Sequence, residues 1–227
     1  MLLKANAAKH KELVDALYQE FTGIEFPPEY AYFVKENMLM FLIRLARYKF
    51  VSRLIKKTDR VLEVGCGSGI GALFLSQHSF QVTGIDSDNR EVQEAKRINL
   101  RENVSFVETD FFNYPAKNAF DVVVALDLIE HIPVRRSSVF IQRSTKHLRQ
   151  NGMLIIGTPS RYSYPHQGKL SQAAHKKLYD QEELCHLLEK QFGRTIAFSM
   201  NDELVHTGFW KMAWYYFAIA IYPKVKI

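Results

Sequence analysis

Alternating glycines and carboxylates at the ends of apolar runs are the residues of this chain whose types and spacing could do chemistry. From Val61 it reads Val-Leu-Glu-Val-Gly-Cys-Gly-Ser-Gly-Ile-Gly, with Glu63 ahead of Gly65, Gly67 and Gly69. A turn rich in glycine lets backbone N–H groups approach a ligand closely. Asp86, followed by Ser87 and Asp88, lies about twenty residues further on, where a carboxylate can accept hydrogen bonds from both hydroxyls of a ribose. Asp110-Phe111 closes a third apolar run and could accept from an amino group while packing on its ring. A second kind of chemistry is offered by Asp127, Glu130 and His131, which follow a fourth run. An imidazole among carboxylates suits proton abstraction. The alternative is that Glu130 and His131 cap a strand and orient a loop. Further on, Ser199–Gly208 gathers Asp202, Glu203 and His206, and reads better as a polar turn than as part of a site. Tyr162, Tyr164 and Tyr179 could line a pocket, although tyrosines more often pack.

The elements that must position these residues alternate regularly. Strands are expected at Val61–Val64, Gln81–Asp86, Val104–Asp110, Phe120–Asp127 and Met153–Thr158, with helices at Ile70–His78, Asp88 to about Leu100, and Arg135–Arg149. Asn151-Gly152 should turn the last of these helices into its strand. Such alternation implies right-handed crossovers and a parallel sheet covered on both faces. Val122-Val123-Val124-Ala125-Leu126, apolar throughout, fits a strand buried on both sides. In such sheets reactive groups gather beyond the carboxyl ends of the strands, where the glycines and carboxylates fall. Ser160–Lys177 reads as a loop covering a site; Asp180 should cap a helix through Gln191, with Arg194–Met200 as a strand and a last strand or helix after Thr207. Residues 1–57 read as a helical extension broken at Pro27-Pro28, with one amphipathic helix from Tyr30 to Ile55. The expected division is therefore 1–57 as an extension or cap and 58–227 as the α/β domain.

Two ligand classes use such glycine turns. A dinucleotide fingerprint is met formally by Gly67, Gly69 and Ala72, but nothing after the third strand supplies a hydride-transfer site. Glu63 with Gly65, Gly67 and Gly69 fits a turn built for S-adenosyl-L-methionine, and with Asp86 and Asp110-Phe111 the chain resembles the class I methyltransferases that use it. The resemblance covers roughly residues 58–200. It implies a Rossmann-like, doubly wound, seven-stranded sheet of order 3-2-1-4-5-7-6 with strand 7 antiparallel, and backbone contacts from Leu126 to the methionine part of the cofactor. After the fourth strand the chain is similar to the ubiquinone-biosynthesis O-methyltransferases, which carry E-x-x-E-H there, as do the small-RNA 2′-O-methyltransferases. That likeness implies a divalent ion, magnesium or manganese, on Asp127, Glu130, His131 and His175, with His166 as a second downstream candidate. Asp127 stands where those families have glutamate, one methylene shorter. Such an ion would bind a catechol or vicinal-diol oxygen and lower its pKa. A metal-free pocket would leave His131 as the base.

At 227 residues, 47% hydrophobic and 24% charged, the chain is too apolar for disorder and suits one α/β domain with an appendage. Two cysteines, with no C-x-x-C pair, argue against a disulfide framework or a thiolate zinc site and for a reducing, cytoplasmic setting. No signal peptide is visible at the start. The net charge of +6 is matched by a single stretch, Arg44–Arg60, with seven basic residues against Asp59. That stretch is either a solvated helix face or a patch for an anionic substrate, a phospholipid surface or a phosphate backbone. Phe209–Tyr222 is the most apolar segment, too short to span a bilayer. It reads as a core or dimer-interface element, or as a peripheral contact with a membrane. The expected activity is O-methylation of a small hydroxylated molecule: a quinone precursor, a lipid-linked compound or a sugar. The runners-up are a nucleic-acid methyltransferase and a non-catalytic cofactor-binding protein. Nucleic acid is the less expected partner, because neither an Asn/Asp-Pro-Pro-Tyr motif nor a Pro-Cys nucleophile is present.

Overall fold

The computed structural model describes residues 2–23 and 25–224. Three helices come first, α1 (Leu2–Phe21), α2 (Pro28–Glu36) and α3 (Met38–Ser52). The first half of the sheet follows as β1 (Arg60–Val64), α4 (Ile70–Ser76), β2 (Gln81–Asp86), α5 (Asn89–Arg97), β3 (Val104–Glu108) and β4 (Phe120–Leu126). The second half is α6 (Val134–His147), β5 (Leu148–Pro159), α7 (Lys169–Ala174), α8 (Gln181–Glu189), β6 (Phe192–Asn201), β7 (Leu204–His206) and β8 (Tyr215–Pro223). The sheet order is β3-β2-β1-β4-β5-β8-β6-β7. β1 to β5 pair in parallel, and β8 runs antiparallel to both β5 and β6. The expected order therefore holds, with β8 as the antiparallel seventh strand, and β7 adds an eighth at the edge.

Period-two alternation assigns the core. Val123 and Ala125 of β4 face α6 and α8, meeting Phe140, Ile141, Leu184 and Leu188. Val122 and Val124 face the other way, toward Ala46 and Val51 of α3 and Ala72 and Leu75 of α4. The continuous apolar run thus serves two cores at once. α3 belongs to the second of these cores although it lies within the stretch read as an extension.

Several boundaries differ from the sequence reading, each for a local reason. The helix expected from Tyr30 to Ile55 breaks at Asn37, whose side chain accepts from Met40 N at 3.2 Å and so starts α3 afresh. β5 begins at Leu148 rather than Met153, because Leu148 pairs with Phe120 and the register then shifts so that Met153 meets Val122. Asn151-Gly152 is absorbed into that bulge and does not form the turn. Ser160–Lys177 is not a plain loop: a 3-10 helix spans Arg161–His166 and α7 follows. Asp180 does cap α8, in a reciprocal capping box with Glu183. Asp202, at φ 50°, turns β6 into β7, with Asn201 paired to Leu204; the acidic–histidine cluster of this segment is a hairpin turn.

The C-terminal aromatic segment is explained by β8. Tyr215 to Ala220 are buried between β5 and β6, so those residues are closed to a membrane or a second subunit, while Phe209, Met212 and Trp214 stay exposed. No helix among the described residues is long and apolar enough to cross a membrane. The basic stretch is also corrected. Arg44 and Arg47 turn inward to Glu29 and Asp127, leaving Lys49, Arg53, Lys56 and Lys57 exposed.

Candidate active site

The glycine turn joins β1 to α4. Gly67 and Gly69 sit in the left-handed region at φ 49° and 86°. A Cβ on Gly69 would lie 2.7 Å from Ala95 Cβ and from the Phe106 ring, so glycine is required twice over there, by conformation and by space. Asp86, at the end of β2, braces the turn. Its Oδ2 accepts from Gly67 N at 3.0 Å and its Oδ1 from Asp88 N at 2.9 Å. A carboxylate has about four lone-pair sites, so each oxygen keeps a site for a further donor.

Gly65, Asp86, Ser87, Asp110 and Phe111 line one cleft at the carboxyl ends of β1, β2 and β3. Asp110 is exposed and accepts from Phe112 N at 2.8 Å, and Phe111 is buried against Phe140 with ring centroids 4.9 Å apart. Glu63, Gly67, Gly69 and Leu126 stand outside the cleft lining. Glu63 lies buried beneath the turn, and among the described residues neither carboxylate oxygen has a hydrogen-bond partner. Burial pushes its pKa up to about 8, reinforced by Asp86 and opposed by the neighbouring Tyr48 hydroxyl. Leu126 ends β4 in the core. Leu128, two residues on, lines the cleft with its side chain, and a Cβ on Gly65 would come within 3.0 Å of it.

β4 leads into the acidic–histidine segment through Asp127, a non-glycine residue at φ 52°. Two contacts hold this conformation: Asp127 N donates to Gly157 O at 2.9 Å, and Asp127 Oδ2 accepts from Arg47 Nη1 at 2.5 Å. The Arg47 guanidinium in turn lies over the Tyr215 ring, 4.0 Å from its centroid. The chain then makes a 3-10 turn over Ile129–His131. That turn buries Glu130, whose Oε2 accepts from Thr158 Oγ1 at 2.9 Å and whose Oε1 has no partner among the described residues. Burial, with Asp127 adding, raises the Glu130 pKa to about 8.

The segment after α7 is strapped to this turn, since Lys176 N and Lys177 N both donate to Glu130 O, at 2.7 and 3.2 Å. The strap brings His175 to His131, with ring centroids 5.0 Å apart. One ligand atom each of Glu130, His131 and His175 then lie within 4.8 Å of one another. His131 Nδ1 faces Ala174 O at 3.3 Å and His175 Nδ1 faces Gln167 Oε1 at 2.9 Å. If each Nδ1 carries the proton toward its oxygen, both Nε2 lone pairs are free, an arrangement typical of metal-ligating histidines. Burial, with His131 nearby, lowers the His175 pKa and favours its neutral form.

Three of the four residues expected around an ion are thus brought together. Asp127 is committed to Arg47 and stands outside the group, and His166 packs against Trp214. Arg47, Tyr215, Thr158 and Gln167 were not picked out by the sequence. Arg47 was visible only as one cation in a basic run, and no spacing rule links it to a strand end eighty residues later.

A family profile described as a methyltransferase domain matches residues 30–195, starting within the helical stretch. The ubiquinone biosynthesis O-methyltransferase of Rickettsia conorii is 33% identical over 119 residues, covering 51% of this chain and 40% of that protein. The enzyme of the same name from Haemophilus ducreyi is 34% identical over 110 residues, covering 45% of this chain and 46% of its own. The matches thus span less than half the length of these curated relatives. Among solved structures, a SAM-dependent methyltransferase of Thermotoga maritima aligns with a TM-score of 0.68 at 16% identity, covering 91% of this chain and 98% of that one. The N-methyltransferase NodS of Bradyrhizobium japonicum, solved with S-adenosyl-L-homocysteine, aligns at 0.61 and 19% identity over 80% of this chain and 88% of its own. At such identities these structures speak for the fold alone. With the profile covering most of the chain and the strand order in agreement, the chain belongs to the methyltransferase domain family.

Proposed function

We propose that the chain methylates an oxygen of a small hydroxylated acceptor, using S-adenosyl-L-methionine and a divalent ion at Glu130, His131 and His175. The observation that carries this reading is the convergence of one buried carboxylate and two imidazoles beside the cleft of the glycine turn. The likeness to ubiquinone biosynthesis O-methyltransferases supports an oxygen acceptor: a quinone precursor, a lipid-linked compound or a sugar. For a lipid-linked acceptor, the exposed Phe209, Met212, Trp214 and Tyr222 are the residues of the C-terminal aromatic segment left to meet a membrane. We place the catalytic domain at 58–227, with 1–57 as an extension whose α3 packs into that domain's second core, in a cytoplasmic setting.

The residues present fit both groups. Glu63, Gly65, Gly67 and Gly69 form and support the turn against which the cofactor would lie, and Leu126 ends the strand beside it. Asp86 would accept from the ribose hydroxyls, Ser87 would flank it, and Asp110 would accept from the adenine amino group beside Phe111. S-adenosyl-L-methionine supplies an electrophilic methyl group. For the ion, the orphaned Glu130 Oε1 and the His131 and His175 imidazoles make a donor set that suits manganese better than magnesium, since imidazole is a poor ligand for the harder ion. The ion would supply Lewis-acid activation of the acceptor hydroxyl. Thr158 orients Glu130, Ala174 O and Gln167 orient the two rings, and Arg47 keeps Asp127 out of the group.

Titrating Mn²⁺ and Mg²⁺ into protein saturated with S-adenosylhomocysteine tests the reading. One ion per chain is expected, lost in Glu130→Ala and in His131→Ala. Because ligation needs ionised Glu130, with a pKa near 8, affinity should rise about tenfold per pH unit up to pH 8 and level off above it. Ion binding that survives intact in Glu130→Ala would remove Glu130 from the ligand set. No saturable binding, with His131→Ala inactive and chelators harmless, would leave His131 as a metal-free base. For the cofactor, Asp86→Ala should weaken S-adenosylhomocysteine binding by about 1.5–3 kcal/mol, the worth of hydrogen bonds to a charged group. Unchanged affinity by calorimetry would take Asp86 out of the ribose site.

A further inference from the structure

A second cavity of about 310 Å³ lies between α6, α8 and the strap that follows His175. That volume is at the lower end of the range in which proteins hold small ligands, about 300–1,000 Å³. Its lining follows from helical spacing. Glu183, His186 and Leu187 on α8 and Lys190 at its C-terminal cap recur at three- and four-residue intervals, adjacent to the face that sends Leu184 and Leu188 into the core. Val134 opens α6 on the facing side, and Lys177 and Tyr179 close the end.

The charge in this cavity is unbalanced. Its one carboxylate, Glu183, is already spent: it pairs with Lys177 Nζ at 3.3 Å and accepts from Asp180 N at 3.1 Å. Lys177 is further engaged over the Tyr179 ring, 4.8 Å from its centroid. The Tyr179 hydroxyl donates to Ser137 Oγ at 2.8 Å. Among the described residues His186 and Lys190 take part in no ion pair, although both line the cavity. Beside them Val134 and Leu187 offer apolar walls. A flat apolar body with an anionic head matches this lining. An acidic peptide would find no apolar-free track, and a cation would meet only bases and a neutralised carboxylate.

We infer that the α6–α8 cavity is a binding site for a small aromatic anion, its head held by His186 and Lys190 and its ring against Val134 and Leu187. This site is separate from the methyl-transfer reading, and its test does not depend on activity. An occupant would bear on the strap that carries His175 and hydrogen-bonds Glu130 O, so the two sites share a structural element.

Phenyl phosphate is the probe, titrated by calorimetry and followed by amide NMR on the full chain. The expected result is one saturable site, with amide shifts at residues 134–137, 177–179 and 186–190. His186→Ala combined with Lys190→Ala should weaken binding at least ~10-fold, the scale of lost hydrogen bonds to a charged group. Val134→Trp should abolish binding by filling the cavity. Val134 is 57% exposed, so this variant should fold, which a thermal unfolding curve checks. Phenol and inorganic phosphate should each bind at least ~10-fold more weakly than the probe. Absence of saturation, or binding undiminished in both variants, overturns the site. Equal binding of phenol overturns the anion assignment, and equal binding of inorganic phosphate overturns the aromatic one.

Discussion

Arg47→Met is expected to lower the stability of the fold by about 2–4 kcal/mol in urea unfolding. Removing one partner of a fully buried ion pair costs about 3–5 kcal/mol, because the other charge is left in a poor solvent. Here the Arg47 and Asp127 side chains are 11% and 29% exposed, so water screens part of that cost and the lower figure applies. For a domain of this size the loss corresponds to roughly 5–10 °C in Tm. Methionine keeps most of the aliphatic stem that packs under the guanidinium, so the effect isolates the charge. Arg47→Met combined with Asp127→Asn should recover more than half of the loss. A single variant within about 0.5 kcal/mol of the parent would mean that Asp127 is solvated well enough to need no cation. Because the pair also fixes a left-handed residue at the exit of β4, the single variant should weaken metal binding as well.

Glu130→Gln is expected to move activity and stability in opposite directions. Gln retains the hydrogen bond with Thr158 but cannot serve as an anionic ligand, so ion binding should vanish and turnover should fall by ~10³-fold, the scale of lost Lewis-acid assistance. Stability of the metal-free chain should rise. A carboxyl whose pKa is about 8 in the folded protein and 4.5 when free binds more protons folded than unfolded. Its stabilising contribution is therefore complete below pH 4.5 and is lost as pH climbs to 8. At pH 7 the loss is on the order of 3 kcal/mol, and the neutral amide escapes it. Unfolding curves of parent and variant should diverge steadily from pH 5 to 8. A variant less stable than the parent across that range would make Glu130 a structural anion already paired in the folded chain.

The sequence was most legible where one local rule decides the structure. The continuous apolar run from Val122 to Leu126, the glycines after β1 and the Asp180 cap each follow from composition, spacing and backbone conformation, and each stands where expected. The strand order came from a different source, the resemblance to the class I methyltransferases, which implied it; handed crossovers alone gave only a parallel sheet covered on both faces. Legibility failed where a residue's partner is remote in the chain. Asn37 breaks a helix whose apolar spacing runs through it unperturbed. Leu148 joins β5 because Phe120 is available to pair with it. Arg47 and Tyr215 reach the exit of β4 from opposite ends of the chain, and His175 arrives through two hydrogen bonds to a carbonyl, which no side-chain pattern encodes. The acidic–histidine motif was visible, but which of its carboxylates stays free depends on a cation that reads as surface charge.

The place of β8 has a consequence for how the chain is made. Synthesis delivers β6 and β7 before β8, yet the order β5-β8-β6-β7 gives them no neighbour in the sheet until β8 inserts between β5 and β6. Until residues 215–223 emerge, the nascent protein holds a five-stranded parallel platform with an open edge on β5, and a detached hairpin. Such an edge is a template for wrong pairing. The apolar strand β8 resolves this, so a chain stalled or cut before Tyr215 would leave β5 unpaired and the Tyr216 and Phe217 side of both cores unfilled.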